Sequence, residues 1–141
     1  MLRRTLLLLG ATLALADTRQ ELIDVFGAMA AALSEGNPAV FLKAIDPAMP
    51  GYPRLAGDVK ALAAQNELSS SIEIARQEGN DRIQTVELDW LLEIKGKDQS
   101  HNFLRRQAIV KCRLELQKRK WRIVSIEPAS FFAPPGAESD K

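Results

Sequence analysis

Hydrophobic residues recur at three- and four-residue steps in the first half of the chain and at every second position in the second half. The change of period falls near Glu67. A period close to 3.6 is typical of helices that bury one face, and a period of two is typical of strands that do so. Because helices come first and strands afterwards, the pattern predicts one α+β domain rather than alternating βαβ units.

Three helices are predicted in the first half. Thr18 and Glu21 have the spacing of a capping box, so we expect the first helix to begin at Thr18. Asn37-Pro38 predicts an N-cap followed by proline in the first helical position, which starts a second helix. The predicted boundaries are about residues 18–36, 37–46 and 54–65.

Four strands follow, separated by turns near residues 78–81, 96–99 and 117–120. Pairing the apolar faces of the middle two strands also places acidic residues beside basic ones, which helps to fix the register. The predicted neighbours are Ile94 with Leu104, Trp90 with Ala108, Glu93 with Arg105 and Glu87 with Lys111. The fold class is therefore three N-terminal helices packed on one face of a four-stranded antiparallel sheet.

The first sixteen residues have the three parts of a secretory signal peptide. Arg3 and Arg4 precede an apolar run over residues 5–16, which ends in the small-x-small sequence Ala14-Leu15-Ala16. The run is too short to cross a membrane core, which needs about 20 apolar residues. We therefore predict cleavage after Ala16, export to the periplasm or medium, and no stable membrane insertion after cleavage.

Composition narrows the classes of partner and cofactor. The chain has 19 basic and 18 acidic residues, and loss of the two arginines in the leader leaves a net charge of −1. A nearly neutral domain gives no electrostatic reason to expect nucleic acid as a partner. Cys112 is the only cysteine and His101 the only histidine, so we expect no internal disulfide, no metal site and no cofactor. We interpret Cys112 as a buried apolar residue and His101 as a solvated turn residue.

Three stretches carry a resemblance to the nuclear transport factor 2-like superfamily. They are Ser34-Glu35-Gly36-Asn37 at the end of the first helix, Asp46-Pro47 at the end of the second, and residues 121–128 in the last strand. The resemblance covers roughly residues 18–132, within a domain predicted over 17–133 and followed by a disordered tail over 134–141. It implies a sheet curled around the helices into a cone with an apolar pocket, and it implies frequent sheet-to-sheet homodimers.

The superfamily also contains ketosteroid isomerase, scytalone dehydratase and polyketide-cyclase-like proteins. Their isomerases use an aspartate base with a tyrosine that holds the enolate oxygen. The inward-facing strand positions of this chain carry neither residue type, and Asp46 is better interpreted as a helix terminator. We assign no catalytic residue, and we favour a binding module over an enzyme.

The predicted ligand pocket consists of Trp90, Arg106, Arg76 and Tyr52. Trp90 is its wall, although a core tryptophan is the alternative. Both arginines share parity with apolar strand faces, so they either line the pocket mouth or extend to water from the strand ends. The predicted function is an exported non-catalytic module that binds a small, largely apolar molecule or a protein partner. The alternative is an isomerase, dehydratase or cyclase acting on a small molecule in the same pocket.

The outer face of the predicted sheet also carries apolar residues, namely Leu91, Ile109, Val124 and Ile126. Four such residues on neighbouring strands form a patch that is expected to be covered. Phe131 and Phe132 are one cover from within the chain, and a second copy of the chain is the other. We predict a homodimer, because the two phenylalanines form too short a segment to reach across several strands.

Overall fold

A computed structural model of the chain describes residues 2–98 and 102–136, and for residues 2–16 it describes the helical backbone only. His101 and residues 137–141 lie outside the described part, so the predictions for that histidine and for most of the tail are not addressed. Three helices precede the sheet: α1 (Leu2–Ser34), α2 (Pro38–Lys43) and α3 (Tyr52–Gln65). Among the described residues, no helix meets the length and hydropathy that a membrane span requires.

The predicted start of the first helix is wrong for the full chain. Helix α1 is continuous from Leu2, so Thr18 is a buried residue inside the helix and not its N-cap. The predicted end is confirmed, because Gly36 adopts a φ of +69° and the Asn37 amide donates to the Ala32 carbonyl oxygen. A glycine in this left-handed conformation closes a helix by the Schellman motif. The Asn37 side chain then accepts a hydrogen bond from the Val40 amide, which caps α2 as predicted.

Four antiparallel strands form one sheet in the order β1-β2-β3-β4. Their bounds are β1 (Asn66–Gly79), β2 (Ile83–Gly96), β3 (Phe103–Gln117) and β4 (Lys120–Glu127), and a short 3₁₀ helix follows at Ala129–Phe132. The predicted fold class is confirmed. The four predicted neighbour pairs between β2 and β3 are confirmed as well, from Ile94 opposite Leu104 to Glu87 opposite Lys111.

Two register shifts reverse the face of the residues beyond them. In β1 the shift follows Ile74, so that Arg76 lies opposite Glu87 on the outer face of the sheet. In β4 the shift leaves Val124 without a partner position and places Ile126 opposite the buried Cys112. An extra residue in one strand of a pair is a β-bulge, and it moves every later side chain to the other face. The predicted inward face of Arg76 and the predicted outward face of Ile126 are therefore both wrong.

The hydrophobic core lies between the inner face of the sheet and the helices. Its largest fully buried side chains come from all of these layers, together with the 3₁₀ helix. They include Trp90, Phe26, Phe41, Phe132, Leu22 and Met29. The buried polar residues among those described are Thr18, Asn66 and Gln84, none of which is an acid or a base at neutral pH.

Candidate functional site

Aromatic side chains fill the interior between the sheet and the helices at Trp90. The ring of Phe132 lies edge-on to Trp90 with centroids 4.9 Å apart, and Phe41 lies 5.4 Å from Phe132. Phe131 lies 6.1 Å from Trp90 and completes the cluster. The indole Nε1 of Trp90 donates a 2.8 Å hydrogen bond to the hydroxyl oxygen of Ser70. Trp90 is thus a fully buried core residue whose polar group is satisfied.

Arg106 fixes the segment that closes this cluster. Its Nη1 donates to the carbonyl oxygens of Phe131 at 2.8 Å and Ala133 at 2.6 Å. Hydrogen bonds from a charged donor are roughly twice as strong as those between neutral groups. Arg106 therefore holds the two phenylalanines inside the cone. Phe131 and Phe132 cover the inner side of the sheet and not its outer apolar patch.

Of the other two residues of the predicted pocket, Arg76 lies on the opposite face of the sheet and Tyr52 packs at the edge of the core. Arg76 is exposed on the outer face, with ion pairs of 3.8 Å to Glu78 and 3.9 Å to Glu87. Tyr52 begins α3 and packs, partly buried, against the core. Arg76 and Arg106 therefore lie on opposite faces of the sheet, since Arg106 pairs with the buried Leu92.

The Asp46 side chain is held by hydrogen bonds, and the Cys112 side chain is buried in the core. The Asp46 carboxylate accepts 2.9 Å hydrogen bonds from the Gln117 side-chain amide and from the Ala48 backbone amide. These bonds, that from Gln117 first, lower the pKa of Asp46 below its ordinary value of 3.8. An ionised carboxylate in these bonds fixes the corner after α2. Burial raises the pKa of the Cys112 thiol to about 12, so the thiol stays protonated and unreactive at neutral pH.

An open groove of about 720 Å³ lies among the described residues. It lies where α1 and α2 meet the hairpin that joins β3 to β4, and we call it the turn groove. Its apolar lining comes from α1, from α2 and its C-cap residue, and from β4. The residues are Val25, Ala28, Met29, Val40, Ala44 and Trp121. A groove of this size falls within the range of about 300–1,000 Å³ that is typical of small-molecule sites.

Trp121, which lines this groove, has a buried indole N–H without an acceptor among the described residues. The side chain is 5% exposed, and its indole N–H makes no hydrogen bond within the described residues. A buried donor without an acceptor is costly in free energy, which makes such a group uncommon in folded proteins. By contrast, the indole N–H of Trp90 is satisfied within the core.

The rim of the turn groove is charged. Glu21 and Asp24 lie on α1, while four basic residues lie on α2 and the hairpin, namely Lys43, Arg119, Lys120 and Arg122. Arg122 donates to the Lys43 carbonyl oxygen at 3.1 Å. This groove was not predictable from the sequence, because the residues that line it come from elements far apart in the chain.

The outer sheet face retains only part of the predicted dimer patch. Ile109 is 50% exposed, and Leu91 and Val124 are partly buried. Ile126 is 7% exposed and belongs to the core, so its predicted place in the patch is wrong. The β4 bulge at Val124 is the physical reason for that difference.

Solved structures of similar architecture come from several bacteria. A conserved protein from Planctomyces limnophilus superposes with a TM-score of 0.70 at 6% identity, over 79% of this chain and 94% of that chain. A nuclear transport factor 2-like protein from Salmonella enterica gives 0.64 at 12% identity, over 79% and 89%. A hexachlorocyclohexane dehydrochlorinase from Novosphingobium barchaimii gives 0.64 at 10% identity, over 82% and 87%.

In sequence, no family model matches the chain and no curated protein is significantly similar to it. The structural likeness, at these low identities, concerns the fold and leaves the chemistry open. The chain therefore has the nuclear transport factor 2-like fold.

Proposed function

We propose that the chain is a non-catalytic module that binds a small, largely apolar molecule in the turn groove. The observation that carries the proposal is the contrast between the two candidate sites: the cone interior is filled by aromatic rings, whereas the turn groove is open, apolar and about 720 Å³ in volume. Apolar lining with a few polar groups that fix orientation is the usual composition of a ligand site.

The enzyme alternative has less support from the described residues. The structural relatives include a hexachlorocyclohexane dehydrochlorinase. Proton abstraction needs a base placed within hydrogen-bond reach of the substrate. In the cone interior, the described buried polar residues are Thr18, Asn66 and Gln84, which supply no such base. At the turn groove, the carboxylates of Glu21 and Asp24 are exposed on the rim. We therefore expect no chloride release from hexachlorocyclohexane, and sustained release by the purified chain would support the enzyme alternative instead.

Thermal unfolding in the presence of a panel of small apolar molecules tests the binding proposal. A ligand at about 100 times its Kd stabilises the folded state by about 2.7 kcal/mol, which is a clear rise in the unfolding temperature. Ala28→Trp fills the turn groove, because Ala28 lines it. Ala31→Trp is the matched control, since Ala31 is exposed on the same helix and does not line the groove.

The expected result is a rise in unfolding temperature that Ala28→Trp abolishes and Ala31→Trp preserves. An equal rise in both variants would place the ligand elsewhere. Absence of any rise across the panel would contradict the proposed function. An affinity that depends on Phe132 rather than on Ala28 would return the ligand to the cone interior.

We also propose export with cleavage after Ala16. The described residues that line the groove begin at Glu21, so all of them remain after this cleavage. N-terminal sequencing of protein from the native host is expected to begin at Asp17. Intact Met1 in the membrane fraction would contradict the proposal.

Self-association through the outer sheet face is a further proposal, now supported by Leu91 and Ile109. These residues are diagonal neighbours, because Asp89 pairs with Ile109 and Leu91 pairs with Gln107. Sedimentation at micromolar concentration is expected to show a dimer that Ile109→Glu dissociates. A monomer in the unsubstituted chain would refute it.

A further inference from the structure

We propose that the ligand of the turn groove is an amphiphile with an anionic head group, held by the basic side chains of α2 and the β3–β4 hairpin. This inference rests on the proposed function and adds the chemical class of the ligand. The occupant is a single molecule in solution with one carboxylate and an apolar body.

Basic side chains line the turn groove on α2 and the β3–β4 hairpin. Lys43, Arg119 and Lys120 are exposed, and none of them forms an ion pair within the described residues. The carboxylates of the same rim, Glu21 and Asp24, lie on α1, so positive charge is in excess on α2 and the hairpin. This excess favours an anion at the hairpin end of the groove.

The turn of the β3–β4 hairpin has a backbone conformation that is unfavourable for the residues it contains. Lys118 and Arg119 occupy its two central positions with φ values of +49° and +68°. Such a two-residue turn favours Asn and Gly, because positive φ is unfavourable for residues with long side chains. The chain nevertheless places two cations there, and Arg119 lines the groove. A favourable contact between the charge of Arg119 and a bound anion would offset the unfavourable backbone conformation of this turn.

Apolar and basic side chains share the lining of the turn groove. Met29, Ala44 and Trp121 lie in the lining beside the cations, so one molecule reaches both. The carboxylates of Glu21 and Asp24 on α1 repel an anion, which orients the head group towards the hairpin.

Isothermal titration calorimetry with three eight-carbon probes tests the inference on the purified full chain. The probes are octanoate, 1-octanol and octylamine, which at neutral pH are anionic, neutral and cationic. We expect octanoate to bind about fivefold more tightly than 1-octanol, as one solvent-exposed ion pair allows, and octylamine to bind most weakly. Added NaCl is expected to weaken octanoate binding and to leave 1-octanol binding unchanged.

Two variants in the same turn provide the matched comparison. Arg119→Gln is expected to weaken octanoate about fivefold and to leave 1-octanol unchanged. Lys118→Gln removes the neighbouring charge, which does not line the groove, and is expected to change octanoate affinity less than about twofold. Equal loss in both variants would mean that the long-range field, and not contact with Arg119, attracts the anion, which overturns the inference.

The remaining outcomes separate the two proposals. If 1-octanol binds as tightly as octanoate and Arg119→Gln has no effect, the anionic head group is refuted while the apolar groove stands. If no probe binds, both are refuted. Binding to anionic phosphatidylglycerol vesicles without binding to octanoate would assign the surface to a membrane and would also overturn the inference.

Discussion

Phe132→Ala tests whether the C-terminal segment is part of the core. The Phe132 side chain is completely buried, and its ring contacts Trp90 at 4.9 Å, Phe131 at 5.2 Å and Phe41 at 5.4 Å between centroids. Truncation of a buried phenylalanine to alanine costs about 3–5 kcal/mol in transfer and cavity free energy. We expect a loss within that range, which is a large fraction of the about 5–15 kcal/mol that stabilises a typical domain.

Urea unfolding followed by tryptophan fluorescence measures this loss. Phe103→Ala is the matched control, because Phe103 is 63% exposed and its truncation is expected to change the free energy of unfolding by less than about 0.5 kcal/mol. A loss below about 1 kcal/mol for Phe132→Ala would refute the conclusion that the ring fills the cone interior. Equal losses in the two variants would refute it as well.

Three further predictions concern individual polar groups. Arg106→Met removes two charged hydrogen bonds, so it is expected to cost about 2 kcal/mol and to speed hydrogen exchange at the Phe131 amide; unchanged exchange would contradict this. Because burial raises the pKa of Cys112 from 9.0 to about 12, the free energy of unfolding is expected to fall as pH rises between these two values. Cys112→Ala is expected to make this fall smaller, and an identical pH profile for the variant would refute the prediction. The hydrogen bond from Gln117 is the main cause of the lowered pKa of Asp46, so the ionised carboxylate stabilises the folded state, and this stabilisation is lost as pH falls through the pKa of Asp46 in the folded protein. Gln117→Ala is expected to raise the Asp46 pKa in an NMR titration, and an unchanged pKa would refute this.

The sheet register was predictable because each face of β2 and β3 has its own chemistry. A slip of one residue would expose Trp90 and separate Glu93 from Arg105, so apolar burial and charge pairing agree on one alignment. The faces beyond the two bulges were not predictable in this way. A bulge adds one residue without changing the local composition, so alternation misplaced Arg76 and Ile126.

The site could be predicted only in part. Trp90 was correctly placed on the inner face, but its neighbours Phe131 and Phe132 reach it from a 3₁₀ helix after the last strand. Residues far apart in sequence also form the turn groove, since Met29 and Trp121 meet there. One signal was present in the sequence: two adjacent basic residues, Lys118-Arg119, occupy a hairpin turn where Asn-Gly is usual.

The central claim is that the ligand binds in the turn groove and not inside the cone, and the two tryptophans of the chain separate these sites. Their indole N–H groups give two signals in a ¹H–¹⁵N NMR spectrum, which Trp121→Phe assigns by deleting one. We predict that octanoate shifts the Trp121 signal, because Trp121 lines the turn groove. The signal of Trp90, whose indole N–H is bonded to Ser70 in the core, is expected to stay unchanged. A shift of Trp90 with Trp121 unchanged would contradict the account.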